Sequence, residues 1–287
     1  MVNKEKIKII ECPRDAMQGW PGFIPTQKKS EYINALLAVG FDTIDFGSFV
    51  SSKAIPQMAD TKEVLKGLHV DHTESKLLAI VANKRGAEEA VMHNEIDHIG
   101  FPFSISETFQ LRNTNSTIAT SIEIVREIQE LCLKNNKTLV VYISMGFGNP
   151  YGDFYHEEVV MEWVKKLVSL NIQIISVADT VGIANPQQVL SVLSKLIPIY
   201  NNIEIGVHLH STPAERTAKL DAALDAGCRR FDGAIKGIGG CPMAGDDLVG
   251  NMDTEFMAAH FKQKGFHTGL NSKVLEKCSK LASAIFI

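Results

Sequence analysis

The sequence predicts an α/β fold, a (β/α)₈ barrel with a catalytic loop after its eighth strand. Short runs rich in Ile and Val alternate with longer amphipathic stretches, and the alternation can be counted eight times. No long linker interrupts it, and 287 residues lie within the size of one barrel. Strands separated by helices build right-handed βαβ units and a parallel sheet, and eight units without a break favour closure over an open sheet. A doubly wound sheet is the rival. It lacks support here because no GxGxxG follows the first strand and no Walker-type segment occurs. One domain over residues 1–287 is expected, with the segment from about 252 to 287 packing on the barrel.

Taken in order, the candidate strands are Ile7 to Glu11, Thr43 to Phe46, Lys76 to Val81, Ile96 to Phe101, Thr138 to Ser144, Ile172 to Val177, Ile203 to Leu209 and Arg229 to Ala234. Helical periodicity fills the intervals at Gln27 to Ala38, Thr61 to Leu68, Arg85 to His93, Ser116 to Lys134, His156 to Leu170, Pro186 to Ile199, Pro213 to Ala226 and Thr254 to Lys264. Punctuation agrees with several of these. Thr26 can cap the first helix and Gly40 follows it, Asn185 and Pro186 read as N-cap and first helical residue, and Gly227 ends the helix containing Asp221.

Composition limits the function classes. Hydrophobic residues make up 45% and charged residues 22%, with a net charge of −4, so no basic excess points to nucleic acid or an anionic membrane. The apolar runs, such as Leu77 to Ala82, fall far short of the roughly 20 residues of a bilayer span. A soluble chain is therefore expected. Five scattered cysteines (Cys12, Cys132, Cys228, Cys241, Cys278) and an N-terminus without an apolar core region point to a reduced, cytoplasmic setting.

If the barrel closes, chemistry belongs where strands end and loops begin. The sharpest signal there is Gly206-Val207-His208-Leu209-His210. Side chains two apart on a strand share a face, about 6.6 to 6.8 Å apart, so both imidazoles can reach one ion. A hydrogen-bonded pair is the alternative. Arg14-Asp15 follows strand one, which in a closed barrel neighbours strand eight and so lies two spacings, roughly 10 Å, from the histidines. A shared ion fits that distance, although Pro13-Arg14-Asp15 is also ordinary turn chemistry.

After strand eight runs Lys236-Gly237-Ile238-Gly239-Gly240-Cys241-Pro242-Met243-Ala244-Gly245, followed by Asp246, Asp247, Gly250 and Asn251. Such a loop lets backbone approach a ligand or moves as a lid, and a thiol beside an ion can carry protons. Asp45 and Asp179 end strands two and six, where a carboxylate serves either the site or the cap of the next helix. The other histidines show no pairing pattern, and His98 is set apart only by lying within a strand.

Together these segments resemble a known family. Pro13-Arg14-Asp15 with Gln18, Ser48-Phe49-Val50-Ser51, Pro56-Gln57-Met58-Ala59-Asp60, Ala178-Asp179-Thr180-Val181-Gly182, Val207-His208-Leu209-His210 and Gly239-Gly240-Cys241-Pro242 resemble, in order, the 3-hydroxy-3-methylglutaryl-CoA lyases of the metal-dependent (β/α)₈ lyase and synthase superfamily. The resemblance covers roughly Ile7 to Leu270. It implies Asp15, His208, His210 and Asn251 as ligands of a divalent metal, Mg²⁺ or Mn²⁺ first, with Zn²⁺ or Co²⁺ compatible. Arg14 would lie against the thioester carbonyl, Cys241 would be a general acid/base, His208 would be catalytic as well as a ligand, and Asp45 and Asp179 would complete the polar shell around the substrate. The implied substrate is a 3-hydroxyacyl-CoA, with 3-hydroxy-3-methylglutaryl-CoA giving acetyl-CoA and acetoacetate; a homodimer is the assembly to test.

Cleavage between C2 and C3 of such a thioester needs loss of the hydroxyl proton, stabilisation of an enolate and its protonation. The segments also depart from the family pattern. Ala16-Met17-Gln18-Gly19-Trp20 stands where Gly-Leu-Gln-Asn-Glu is usual, Asp45 replaces Glu, Ser211 replaces an Asp, and the stretch from Cys241 to Asn251 is one residue longer. A Claisen-type synthase usually carries Gly-Glu-Arg where this chain has Gly-Cys-Pro. A catalytically inactive metal-binding homologue is the reading outside enzymology.

Overall fold

Eight parallel strands follow one another in chain order and close, the last pairing with the first. The computed structural model describes residues 5–240 and 249–286. The strands are β1 (Lys8–Glu11), β2 (Thr43–Ser48), β3 (Lys76–Ile80), β4 (His98–Ser104), β5 (Thr138–Ser144), β6 (Ile174–Asp179), β7 (Glu204–Leu209) and β8 (Arg230–Gly233). Register ties the seam, with Lys8 opposite Arg230 and Glu11 opposite Gly233. All eight predicted strands are present. The fourth and sixth are shifted toward the C-terminus, so β4 ends at Ser104 and β6 reaches Asp179.

Alternation along each strand builds two apolar layers. Leu78, Ile80, Val140 and Tyr142 face inward and fill the barrel axis. Their neighbours Leu77, Ala79, Val141 and Ile143 face outward and join the larger core under the helices. On β8, Phe231 packs against Phe261 outside the barrel at 4.7 Å between ring centroids, which turns Arg230 and Asp232 inward.

The outer ring comprises α2 (Thr26–Leu37), α3 (Thr61–Lys66), α4 (Lys84–Ala90), α6 (Ile118–Lys134), α7 (Glu157–Ser169), α8 (Pro186–Ile199), α9 (Arg216–Asp225) and α10 (Thr254–Gln263). The cap at α8 is as expected: Asn185 accepts from the Gln188 backbone and Gln188 returns the bond. Thr26 is a correction. It lies inside α2, with Pro25 at the cap, and its hydroxyl donates to Asp60 at 2.7 Å instead.

Three further helices were not expected from periodicity. α1 (Pro13–Gln18) occupies the stretch that could have been a turn, with Pro13 presetting φ at its first position. α5 (Glu107–Thr114) starts at a Ser106 cap that accepts from Phe109 N. α11 (Ser272–Ile285) packs against α2 and the turn after β8, and Phe286 beyond it meets Trp20 edge-on at 5.2 Å. Among the described residues no helix is long and apolar enough to cross a membrane.

Candidate active site

A cavity of about 460 Å³ opens at the C-terminal ends of the strands. Its polar side is built by β1, β2 and β7 through Arg14, Asp15, Asp45, His208 and His210, and Ile80, Ala82 and Pro102 from the β3 and β4 side form an apolar wall opposite. Arg112 and Asn113, exposed at the end of α5, stand at its mouth.

The two histidines converge as the period-two argument requires. Nε2 of His208 lies 3.2 Å from Nε2 of His210. One carboxylate oxygen of Asp15 joins them in a group whose donor atoms all lie within 4.8 Å of one another. Asp15 reaches this point because α1 turns the chain back over the barrel mouth directly after β1. Two imidazoles and a carboxylate facing one point are a set able to hold a metal ion.

Asn251 arrives from the other side of the seam. Its backbone bridges His210, and its amide nitrogen donates to Asp15 at 2.7 Å and to the carbonyl of Ile238 at 2.9 Å. Its amide oxygen is buried and has no hydrogen-bond partner among the described residues, an acceptor next to the cluster. Gly239 permits this approach: with φ at +99°, a Cβ there would sit 2.7 Å from the Asn251 amide nitrogen.

Arg14 is held rigidly. Its Nε donates to both oxygens of Asp45 at 3.2 and 3.0 Å, while Nη1 donates to Asp15 at 3.1 Å and to Gln18 at 2.9 Å. Gln18 in turn donates to Asp15 at 3.0 Å. The same residue offers its planar fork to two carboxylates, which a lysine could not do with one geometry.

These contacts set the charge states. Burial acts to raise the Asp15 carboxyl, but Arg14, the two histidines and the Asn251 amide outweigh it and hold the group below its usual range. Asp45 goes the other way, pushed up to about 6 because burial exceeds what Arg14 restores. His210 is pushed down to about 3 by burial and by the neighbouring His208, so it is a neutral nitrogen donor. Burial opposes protonation of His208 too, yet its hydrogen bond to Asp232 raises it above the ordinary histidine value.

Of the residues expected to serve the site, Arg14, Asp15, Asp45, His208, His210 and Asn251 are brought together. Cys241 lies outside the described residues. Asp179 is placed elsewhere: Ala178 and Thr180 on either side face the cavity, whereas the Asp179 carboxylate accepts from Lys219 Nζ and from the backbone of Ala184, both at 3.0 Å. Strand alternation is the reason, because a residue between two inward neighbours faces the helices.

Sequence reasoning passed over Lys219, Asp232 and Glu11. Lys219 is wholly buried and donates to Asp179, to the Gly182 carbonyl and to the His210 carbonyl. On an amphipathic helix it reads as a solvent-facing lysine. Glu11 is buried beneath the loop after β8, accepting from Ile235 N at 2.8 Å and from the Thr254 hydroxyl at 2.6 Å. An inward carboxylate at a strand end was the available signal for Asp232, whereas Glu11 shares the outward face of β1 with Ile9. His98 is partly buried at the opposite end of the barrel, pushed down to about 4 by desolvation with Arg230 adding to it.

Comparison with known proteins identifies the family and the fold. The family model described as HMGL-like matches residues 6–282. A hydroxymethylglutaryl-CoA lyase of Bacillus subtilis is 33% identical, covering 96% of this chain and 92% of its own. The cytoplasmic 3-hydroxy-3-methylglutaryl-CoA lyase of Homo sapiens is 32% identical over 98% of this chain and 76% of its own. Among solved structures, an HMG-CoA lyase from Acinetobacter baumannii, in complex with coenzyme A and 3-methylmalate, superposes with a TM-score of 0.92 at 32% identity, over 100% of this chain and 93% of that one.

Proposed function

The chain belongs to the HMGL-like family, and on that premise we propose that it is a divalent-metal-dependent lyase that cleaves 3-hydroxy-3-methylglutaryl-CoA to acetyl-CoA and acetoacetate. The observation that carries this reading is the convergence of His208, His210 and Asp15 on one point beside Arg14.

The donor set fits the ion. A carboxylate, two imidazole nitrogens and an amide oxygen from Asn251 suit Mg²⁺ or Mn²⁺ and tolerate Zn²⁺ or Co²⁺. When bound, such an ion supplies Lewis-acid polarisation of substrate oxygens. Its strongest support in this chain is the buried Asn251 oxygen, without a partner among the described residues, beside an ionised Asp15.

In the reaction the C3 hydroxyl loses its proton, its electrons form the ketone of acetoacetate, and the C2–C3 bond breaks toward the thioester, whose enolate then takes a proton at C2. Arg14 presents fixed positive charge to the thioester oxygen where the enolate develops. Asp45 holds that guanidinium in place through three hydrogen bonds, from Nε to both carboxylate oxygens and from Nη2 to Oδ2. Cys241 or a histidine of the site moves the protons. The apolar wall of Ile80, Ala82 and Pro102 keeps water from the carbanion side. Coenzyme A would enter past Arg112 and Asn113, the polar groups at the mouth.

The four described cysteines outside the loop are free and buried, which fits the reducing, cytoplasmic setting expected from composition. The test is release of acetyl-CoA from 3-hydroxy-3-methylglutaryl-CoA, coupled to a thiol or synthase readout, with and without Mn²⁺. Mn²⁺-dependent release is expected. Absence of release with metal present would remove the named substrate.

A further inference from the structure

The side of His208 that faces away from the metal cluster is occupied by a carboxylate with no other evident purpose. β7 and β8 pair so that His208 stands directly opposite Asp232, and both side chains turn into the barrel. His208 Nδ1 lies 3.3 Å from Asp232 Oδ2, while His208 Nε2 faces His210. The Asp232 carboxylate is fully enclosed, with a side-chain exposure of 0%. Among the described residues no lysine or arginine pairs with it. Within the same residues its other hydrogen bond is from the Ser176 hydroxyl at 3.4 Å, and Oδ1 has no partner.

Burying a carboxylate with so little compensation is costly unless its charge is used. Arg230, two residues earlier on the same face of β8, lends positive charge without a direct contact; its own Nη1 is taken by Glu204 at 2.9 Å. The Tyr142 ring stands edge-on to the imidazole, centroids 6.0 Å apart, and leaves the ring one orientation. Everything around His208 therefore aligns Nδ1 with Asp232 and Nε2 with the cavity.

We propose that Asp232 is a positioning residue for His208: it accepts the Nδ1 hydrogen, fixes the tautomer whose Nε2 lone pair faces Asp15 and His210, and raises the donor strength of that nitrogen toward the metal. A ligating histidine whose second nitrogen is held by a carboxylate binds its ion more tightly than one left free, by about 10- to 100-fold. The inference rests on reading Asp15, His208 and His210 as a cation site. A rival arrangement is present, because Cys12, His208 and Asp232 also bring donor atoms within 4.8 Å. Cys12 argues against it: the thiol is buried and engaged with the Ile10 carbonyl, and the other two members of that group are already hydrogen-bonded to each other.

Mn²⁺ titrations of the whole protein, followed by electron paramagnetic resonance without substrate, test the proposal. One ion per chain and an affinity about 10- to 100-fold weaker in Asp232→Asn are expected. Equal affinity in the two proteins would overturn the positioning role while leaving the cation site intact. A second ion per chain would overturn it in favour of the Cys12 arrangement. No binding by the unmodified protein would overturn the cation-site reading and this inference together. Should Asp232→Asn not fold, long-range ¹H–¹⁵N histidine spectra of the unmodified, Mg²⁺-loaded protein decide the matter. A proton on His208 Nδ1 supports the proposal, and a proton on Nε2 overturns it.

Discussion

Lys219 Nζ, with no solvent exposure, lies 3.0 Å from a carboxylate oxygen of Asp179. From the same position it donates to the carbonyl of His210 at 3.0 Å, so a buried ion pair braces the backbone of a candidate metal ligand. Removing one partner of such a pair leaves the other charged and dry. Lys219→Met is therefore expected to cost about 3–5 kcal/mol in urea unfolding, and the double variant with Asp179→Leu to recover most of that loss. Additive losses in the double variant would show that the two side chains do not act as a pair.

Among the described residues Arg14 is the one cation in contact with both Asp15 and Asp45. Replacing it by Met should lower kcat by about a hundredfold to a thousandfold, the range found when a donor to developing negative charge is lost. KM and Mn²⁺ affinity should change far less. A variant that loses Mn²⁺ binding instead would assign Arg14 to holding Asp15.

In the sequence Cys241 follows a glycine pair. Its expected proton-transfer role predicts that Cys241→Ala lowers turnover by about a hundredfold or more and leaves Mn²⁺ affinity nearly intact. His210→Ala provides the contrast, losing the ion itself. Full activity in Cys241→Ala would pass the proton role to the histidines.

Glu11 gives a pH signature. Burial pushes its carboxyl up from 4.5 to about 8, against the hydrogen bonds from Thr254 and Ile235. A raised folded value means that the contribution to stability is complete below about pH 4.5 and is lost as pH rises to about 8, where the folded protein ionises. Glu11→Gln cannot ionise. Its urea midpoint relative to the unmodified protein should therefore rise steadily between these limits, on the order of 1.4 kcal/mol for each unit of the shift. A constant difference across that window would mean that Glu11 is already charged in the folded state.

Strand alternation made much of the site legible before any coordinates. His208 and His210 had to share a face, and a closed barrel had to bring Asp15 toward them. The helix at Pro13–Gln18 was missed because six residues are too few for a periodic signal, although Pro13 marks its start. Alternation also contained the answer for Asp179, since Ala178 and Thr180 cannot both line the cavity with it.

The run of eight strands and helices, and the shared face of His208 and His210, were determined by local sequence pattern, because hydrophobic period and turn chemistry act over a few residues. Tertiary structure alone decided the partners behind them. That Lys219 is buried against Asp179, and that Asp232 rather than solvent receives His208 Nδ1, depends on which neighbouring element covers each side chain. A lysine on an amphipathic helix and an aspartate on a short strand carry the same local signal whether they end in water or in the core.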